Sequence, residues 1–580
     1  MGSFEIREEF YLNGEKMKII SGGIHYFRVV PEYWRDRLEK IKALGCNTVE
    51  TYVAWNVHEP KKGEFCFEGM ADLGAFLWLV QELGLYAIVR PSPYICAEWE
   101  LGGIPAWLLK EDGMRLRSSY APFLEHVSSY YKKLFELLTP LQITKGGPIL
   151  MFQVENEYGA YGEDTAYLET LKQMMLDQGV DVPLITSDGP WGDYLDCGKV
   201  EGVLQSANFG SKAKEQFAIL RKKVGNRPLM CMEFWVGWFD AWGDRHHTEE
   251  PDKHAKDLRE ILEQGSVNIY MAEGGTNFGF MNGANYYDRL TPDVTSYDYD
   301  ALLTEDGQIT EKYLAFQKVI GEFVTLPDVE LTTNIKRAEY GELPVAGKVG
   351  LSESLEELST PVEHHYPQPM EKLGQSYGYL LYRTELVRDK TIEKLRLLEA
   401  NDRAKVYLDG KEIATLYDRE LLSEHSFSEP VIGKKLDILM ENMGRVNYGA
   451  MMERQRKGIQ GAVLLNGHQH YRWTHYPLPL DHTERLDFSK GSTEGQPAFY
   501  RFFLETEEPG DTFVDTEGFG KGCVLVNGFL LGRFWEIGPQ KRLYLPAPLL
   551  RKGRNEILVF ETEGKAADHI TLCKEPRLDV

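Results

Sequence analysis

Between Lys18 and about Thr325, short apolar runs alternate with amphipathic segments. The runs are KIISGGIHYF (18–27), NTVETYVAWN (47–56), LYAIVRPSPYI (85–95), PILMFQVENEY (148–158), VPLITSDG (182–189), GVLQSANFG (202–210), PLMCMEFWVGW (228–238) and VNIYMAEGGTNFG (267–279). They have the length and β-branched content of buried strands. The segments between them, such as PEYWRDRLEKIKALG before the second run and DTAYLETLKQMMLDQG before the fifth, have helical spacing. Eight such β–α repeats predict an α/β unit over residues 1–325, a (β/α)8 TIM barrel whose site lies at the C-terminal ends of its strands. A long insertion after the third run, ICAEWELGGIPAWLL, is expected to lie over the barrel mouth.

Past Thr325 the pattern changes. A connecting segment rich in Pro and acid, 326–370, is expected to pack on the C-terminal part of the chain, which is all-β in texture with turn residues between alternating runs. GYLLYRTEL, KVYLDGKEI and LDILMENMG recur in the same order as AFYRFFLET, VLVNGFLLG and EILVFETEG. A strand–hairpin–strand unit therefore occurs twice, which predicts two β-sandwich domains of jelly-roll, galactose-binding-like type at 371–485 and 486–580. These domains either bind sugar or brace the barrel, with bracing the favoured role.

Composition narrows the functional classes. The chain has 580 residues and a formal net charge of −24, which argues against binding a nucleic-acid backbone. The longest apolar stretch, ADLGAFLWLVQELGLYAIV, is broken by Gln81-Glu82 and two glycines, so it reads as a helix and a strand, with no membrane span expected. The N-terminus carries charge from Glu5 onward and has no signal-type apolar run. Seven cysteines without a CxxC or close pair suggest free thiols, hence a cytoplasmic location. Neither metal nor cofactor is expected: DRHH at 244–247 lacks zinc-ligand spacing, and GGTNFGFMNG lacks the GK[ST] of a phosphate loop. A homodimer is compatible with the sequence.

The fourth run ends unusually for a core strand, in MFQVENEYG (151–159). A buried carboxylate needs a partner or a use. If the strand stays regular, Gln153, Glu155 and Glu157 share a face; Glu155 is expected inside the barrel, paired with a cation such as Arg90, and Glu157 at the mouth. The seventh run supplies a second acid, Glu233, among aromatics. Two carboxyl groups facing one another across a barrel mouth in different environments are what glycoside hydrolysis requires. Trp235, Trp238 and Trp242, just after Glu233, are candidates for stacking on a sugar.

The segments HYFRV, TYVAWNVHEP, RPSPYICAEWELGGIPAWLL, QVENEYGAYG, MEFWVGWFD, GGTNFGFMNGAN and TSYDYDA resemble, in order and spacing, the β-galactosidases of glycoside hydrolase family 35, particularly their smaller bacterial members. The likeness continues through ENMGRVNYG and covers nearly the whole chain. It implies a retaining mechanism with Glu157 as acid/base and Glu233 as nucleophile. It also implies that Tyr52, Cys96, Ala97, Glu98, Asn156, Tyr270 and Tyr299 hold galactose, Cys96 mainly through its backbone. The implied substrate is a short oligosaccharide with terminal non-reducing β-galactose, preferably β-1,3-linked to an N-acetylhexosamine. Tyr448 of ENMGRVNYG is a further candidate, reaching the mouth from the first β domain. The competing readings are another retaining exo-glycosidase, a β-glucosaminidase or β-mannosidase, and a galactose-binding protein without turnover.

Overall fold

The computed structural model describes residues 2–332 and 335–579. Eight parallel strands close into a barrel in sequence order: β1 (Ile20–Ile24), β2 (Thr48–Tyr52), β3 (Tyr86–Arg90), β4 (Ile149–Gln153), β5 (Leu184–Asp188), β6 (Leu204–Phe209), β7 (Met230–Trp235) and β8 (Ser266–Glu273). Each falls within one of the eight apolar runs, β8 starting one residue early. The helices form where local signals favour them: Pro31 opens Pro31–Ala43, and the Asp164 carboxylate caps Thr165–Asp177 by accepting from Tyr167 N. An N-terminal three-stranded sheet, Phe4–Ile6, Phe10–Leu12 and Glu15–Met17, packs Phe4 and Phe10 into the barrel's core.

The barrel interior is partly polar. Glu50 on β2, Arg90 on β3, Gln153 on β4 and Asn268 on β8 are all buried and bonded to one another across the ring. Asn268 reaches Glu50 past the intervening β1 because β1 carries Gly23 there; a Cβ would come within 3.0 Å of the Glu50 carboxylate and of a backbone carbonyl.

The two C-terminal β units repeat one arrangement. In the first, Tyr379–Leu397 pairs with His425–Glu441, which pairs with Arg403–Leu408, which pairs with Lys411–Tyr417. In the second, Ala498–Thr506 pairs with Gly553–Glu561, which pairs with Lys521–Val526, which pairs with Phe529–Trp535. The repeat read from sequence is thus a repeat of sheet order. The connecting segment adds Gly341–Pro344 and Gly347–Gly350 to the two sheets of the last unit, so the chain visits that unit before building the first.

The first β unit is fastened to the barrel through ENMGRVNYG. Arg445, fully buried, bridges Glu100 of the insertion and Glu371 of its own unit, and also donates to Ser376 O (2.7 Å) and Gln455 O (3.0 Å). Asn447 O accepts from Tyr94 at 2.7 Å, and Asn447 N donates to Ala284 O at 2.9 Å. Removing one partner of such a buried ion triad leaves the other charges without compensation, at a cost of about 3–5 kcal/mol. Arg445→Met should lower unfolding stability by that order in urea titration, and adding Glu371→Gln should recover part of the loss. An unchanged midpoint for the single variant would show the triad to be energetically neutral.

Candidate active site

A cavity of about 290 Å³ opens at the C-terminal ends of the strands. β2 contributes Tyr52; the loop after β3 contributes Cys96, Ala97 and Glu98; the turn after β4 contributes Glu157. Glu233 and Trp235 come from β7, Trp238 and Phe239 from its loop, and Tyr270 from β8. Later loops add Asn285, Tyr287 and Tyr299, and the first β unit adds Tyr448. Ten of the eleven site residues expected from the sequence therefore line one cavity. Asn156 is the exception: it lies buried beneath, its side-chain oxygen accepting from Arg90 (2.6 Å) and Gln153 (3.0 Å), its amide nitrogen donating to Ile95 O (3.3 Å).

The two acids occupy opposed settings. Glu233 Oε1 accepts from the Tyr52 hydroxyl (2.6 Å) and from Arg90 (2.5 Å), and Oε2 from the Trp235 indole (3.0 Å). The pairing of β7 with both neighbours shifts register between Cys231 and Phe234. Such an irregularity re-aims side chains at a strand end. Among the described residues Glu157 has no cation in hydrogen-bond contact; its Oε1 accepts from the Asn208 amide on β6 at 3.0 Å. Burial first, and the neighbouring Glu233 charge second, push its carboxyl up to about 8. One carboxylate is ion-paired, and the other keeps its proton near neutrality.

Glu98 forms a third acidic position, raised to about 7 by burial. The Tyr297 hydroxyl donates to it and lies 3.0 Å from the Tyr270 hydroxyl, while Arg28 sits 3.8 Å over the Tyr297 ring. Acceptors and hydroxyls so arranged can read the axial and equatorial hydroxyls of a sugar. The backbone here is strained. Cys96, Ala97 and Glu98 have φ of 59°, 58° and 49°, Glu157 46° and Tyr299 61°, and each left-handed non-glycine residue costs about 1–2 kcal/mol. Clustering of strain in the lining marks a site where side-chain direction has overridden backbone preference.

Three expectations need correcting. β4 does not stay regular to its end: it stops at Gln153, and Glu155 (φ 55°) and Glu157 both turn left-handed. The three side chains consequently part company, and Arg90 is not the partner of Glu155. Arg117 holds Glu155 with two bonds of 2.8 and 2.7 Å, aided by the Tyr167 hydroxyl at 3.1 Å, while Arg90 serves Gln153, Asn156, Glu50 and Glu233. Trp242 is buried and lines no part of the cavity. His246 and His247 of DRHH both bond Asp240.

Sequence reasoning missed Asn208, Tyr297, Trp191 and the role of Arg90. Trp191 was findable, because it follows β5 in SDGPWGDY and loops after barrel strands build the mouth. Asn208 carried no local signal beyond lying near the end of β6, whereas Tyr297 was findable from its place in TSYDYDA, two residues before Tyr299.

Residues 9–323 match the family described as glycosyl hydrolases family 35. Residues 367–479 match the first all-beta domain of β-galactosidase, and 497–555 its galactose-binding domain. The chain is 41% identical to beta-galactosidase-1-like protein 2 of Homo sapiens, over 98% of this chain and 91% of that protein. It is 40% identical to a β-galactosidase of Xanthomonas manihotis, over 93% and 90%, and 38% identical to beta-galactosidase 17 of Arabidopsis thaliana, over 99% and 88%.

The raised Glu157 has a consequence for stability. An unfolded glutamate titrates near 4.3, whereas this one titrates near 8 when folded, so folding takes up a proton between those values and stability falls as pH rises through that window. Glu157→Gln removes this penalty and keeps an acceptor for Asn208. The melting temperature of the variant should exceed that of the wild type at pH 8 and converge on it near pH 4; a difference independent of pH would contradict the assignment.

Proposed function

This chain belongs to family 35 of the glycosyl hydrolases and is a β-galactosidase; we propose that it releases terminal, non-reducing β-D-galactose from short oligosaccharides by a retaining double displacement. The carrying observation is that Glu157 and Glu233 face one cavity in opposite electrostatic settings. In the proposed first step a Glu233 oxygen bonds to the anomeric carbon as the glycosidic bond breaks, and the Glu157 proton passes to the departing oxygen. Glu157, now a carboxylate, takes a proton from water whose oxygen attacks the same carbon, and the bond to Glu233 breaks. Arg90, Tyr52 and Trp235 orient the nucleophile. No step asks for a cofactor.

Glu98, Tyr270, Tyr299 and the backbone of Cys96 and Ala97 are assigned to galactose. Asn156, beneath the cavity, is assigned to holding Arg90 in place, not to the sugar. We assign the leaving residue to Trp235 and Trp238, whose rings stand 6.0 Å apart at 84°, and propose β-1,3-linked galactose on an N-acetylhexosamine as the preferred substrate. A wall of perpendicular rings admits a narrow range of aglycone angles, which supports selection by linkage. One or two stacking contacts of about 1 kcal/mol each suffice for roughly tenfold discrimination.

Glu233→Gln should lose turnover on the order of 10³-fold or more while folding normally, and NMR of the first-formed product should show β-galactose. Retention of more than a few per cent of activity, or initial α-galactose, would falsify the mechanism. Glu157→Gln should abolish the alkaline limb of kcat/KM near pH 8 and slow substrates with poor leaving groups most. Trp238→Ala should reduce kcat/KM for the β-1,3 disaccharide about tenfold more than for nitrophenyl galactoside. Equal losses on both, or faster cleavage of the β-1,4 isomer by the wild type, would remove the linkage preference.

A further inference from the structure

Trp191, Trp235 and Trp238 line a second depression as well as the active-site cavity. It has a volume of about 440 Å³ and is built on the loops after β6 and β7. Ser211 follows β6; Gln216 stands in the first turns of the helix Ala213–Val224, and His254 in the first turn of the helix Pro251–Gln264. These are βα connections, on the same face of the barrel as the two acids.

Two polar groups there lack partners. Both ring nitrogens of His254 and the side-chain oxygen of Gln216 are buried and make no hydrogen bond among the described residues. His254 as a whole is only 5% exposed. Leaving a buried polar group unsatisfied is destabilising, and an apolar residue at either position would avoid that cost. The surrounding charges are already matched: Lys253 pairs with Glu249 at 2.6 Å, and His247 Nδ1 lies 2.9 Å from Asp240. Burial and the nearby Lys312 and Lys253 hold His254 down to about 4, so near neutral pH it offers one donor and one acceptor. The vacant bonding capacity is therefore uncharged. It suits hydroxyls, not a phosphate, sulfate or carboxylate.

The shared tryptophans add a second requirement. Trp191 and Trp238 are 42% and 41% exposed, large for indoles at a barrel mouth, and Trp235 lies 6.0 Å from each. Trp235 and Trp238 are nearly perpendicular, so they cannot both lie flat on one pyranose face. A ligand with an apolar face for an exposed indole and hydroxyls for an imidazole and an amide is a sugar.

We propose that this depression is a subsite for the second sugar beyond the scissile bond, with His254 and Gln216 as its specificity-determining residues, so that the preferred substrate is at least a trisaccharide. The assignment rests on the galactosidase reading of the adjoining cavity. The test compares the β-1,3 disaccharide with the trisaccharide that extends it at the reducing end, using nitrophenyl galactoside as the reference substrate. For the wild type, kcat/KM should be about tenfold higher for the trisaccharide than for the disaccharide, mainly through KM. In His254→Leu and in Gln216→Leu that ratio should fall towards one. Because His254→Leu removes an unpaired buried group, it should unfold at the same or a higher temperature; Gln216 is only half-buried on its helix, and Gln216→Leu keeps the test open if the first variant folds poorly. A wild-type ratio near one, or an unchanged ratio in Gln216→Leu, would overturn the subsite while leaving the galactosidase reading intact. Failure to cleave any of the three galactosides would overturn both.

Discussion

The arginine at the end of β3 sets the geometry on which the site depends. Arg90 is almost wholly removed from solvent, and stripping water from a guanidinium costs several kcal/mol unless every donor is met. Here the fork meets Gln153 at 2.8 Å, Asn156 at 2.6 Å and Glu233 at 2.5 Å, with Glu50 at 3.4 Å and the Tyr52 ring 3.9 Å from its centre. A lysine has three rotatable donors on a point charge and could not span these positions in one plane. Two carboxylates compete for the one cation, and the distances decide between them. Glu233 takes the short contact, while Glu50, left at 3.4 Å and fully buried, is pushed up to about 7.

From that pairing the acid–base asymmetry follows. Glu157 sits in the same cavity as Glu233, but among the described residues its carboxyl is bonded only to the Asn208 amide, so burial and the Glu233 charge both act against its ionisation. The barrel thus places two residues of one chemical type in opposed settings, one ion-paired to Arg90 and the other with its carboxyl pushed up, through a cation placed nearer one of them.

The β domains take part in this arrangement. The first fixes the loop after β3 through Arg445 and Asn447, and that loop carries Cys96, Ala97 and Glu98 in left-handed conformations. Strain of this kind persists only where the surroundings over-determine it. The same segment delivers Tyr448 to the cavity rim. The connecting segment, by lending strands to the last domain, ties the three parts of the chain together.

Much of this was legible in the sequence because it depends on local periodicity. Eight apolar runs separated by helical spacing leave little choice but a parallel barrel, and the repeated strand–hairpin–strand order reappears as repeated sheet pairing. Ten of the eleven expected site residues line one cavity, but six of those ten were named by the family resemblance and not by periodicity; what periodicity itself supplied is that strand ends in a closed barrel converge, which brings Glu157 and Glu233 to the mouth. Which carboxylate meets which arginine was a different matter. Arg90 and Glu155 stand at the ends of neighbouring strands and look like partners, yet two left-handed residues after Gln153 turn Glu155 towards Arg117, whose position in the loop GMRLRSSY has no periodic signature. The unpaired His254 and Gln216, likewise, look like ordinary helix residues in sequence. Periodicity reports which face of an element is buried; the partner of a buried charge is set by contacts between residues far apart in the chain, and only the closed tertiary structure brings those together.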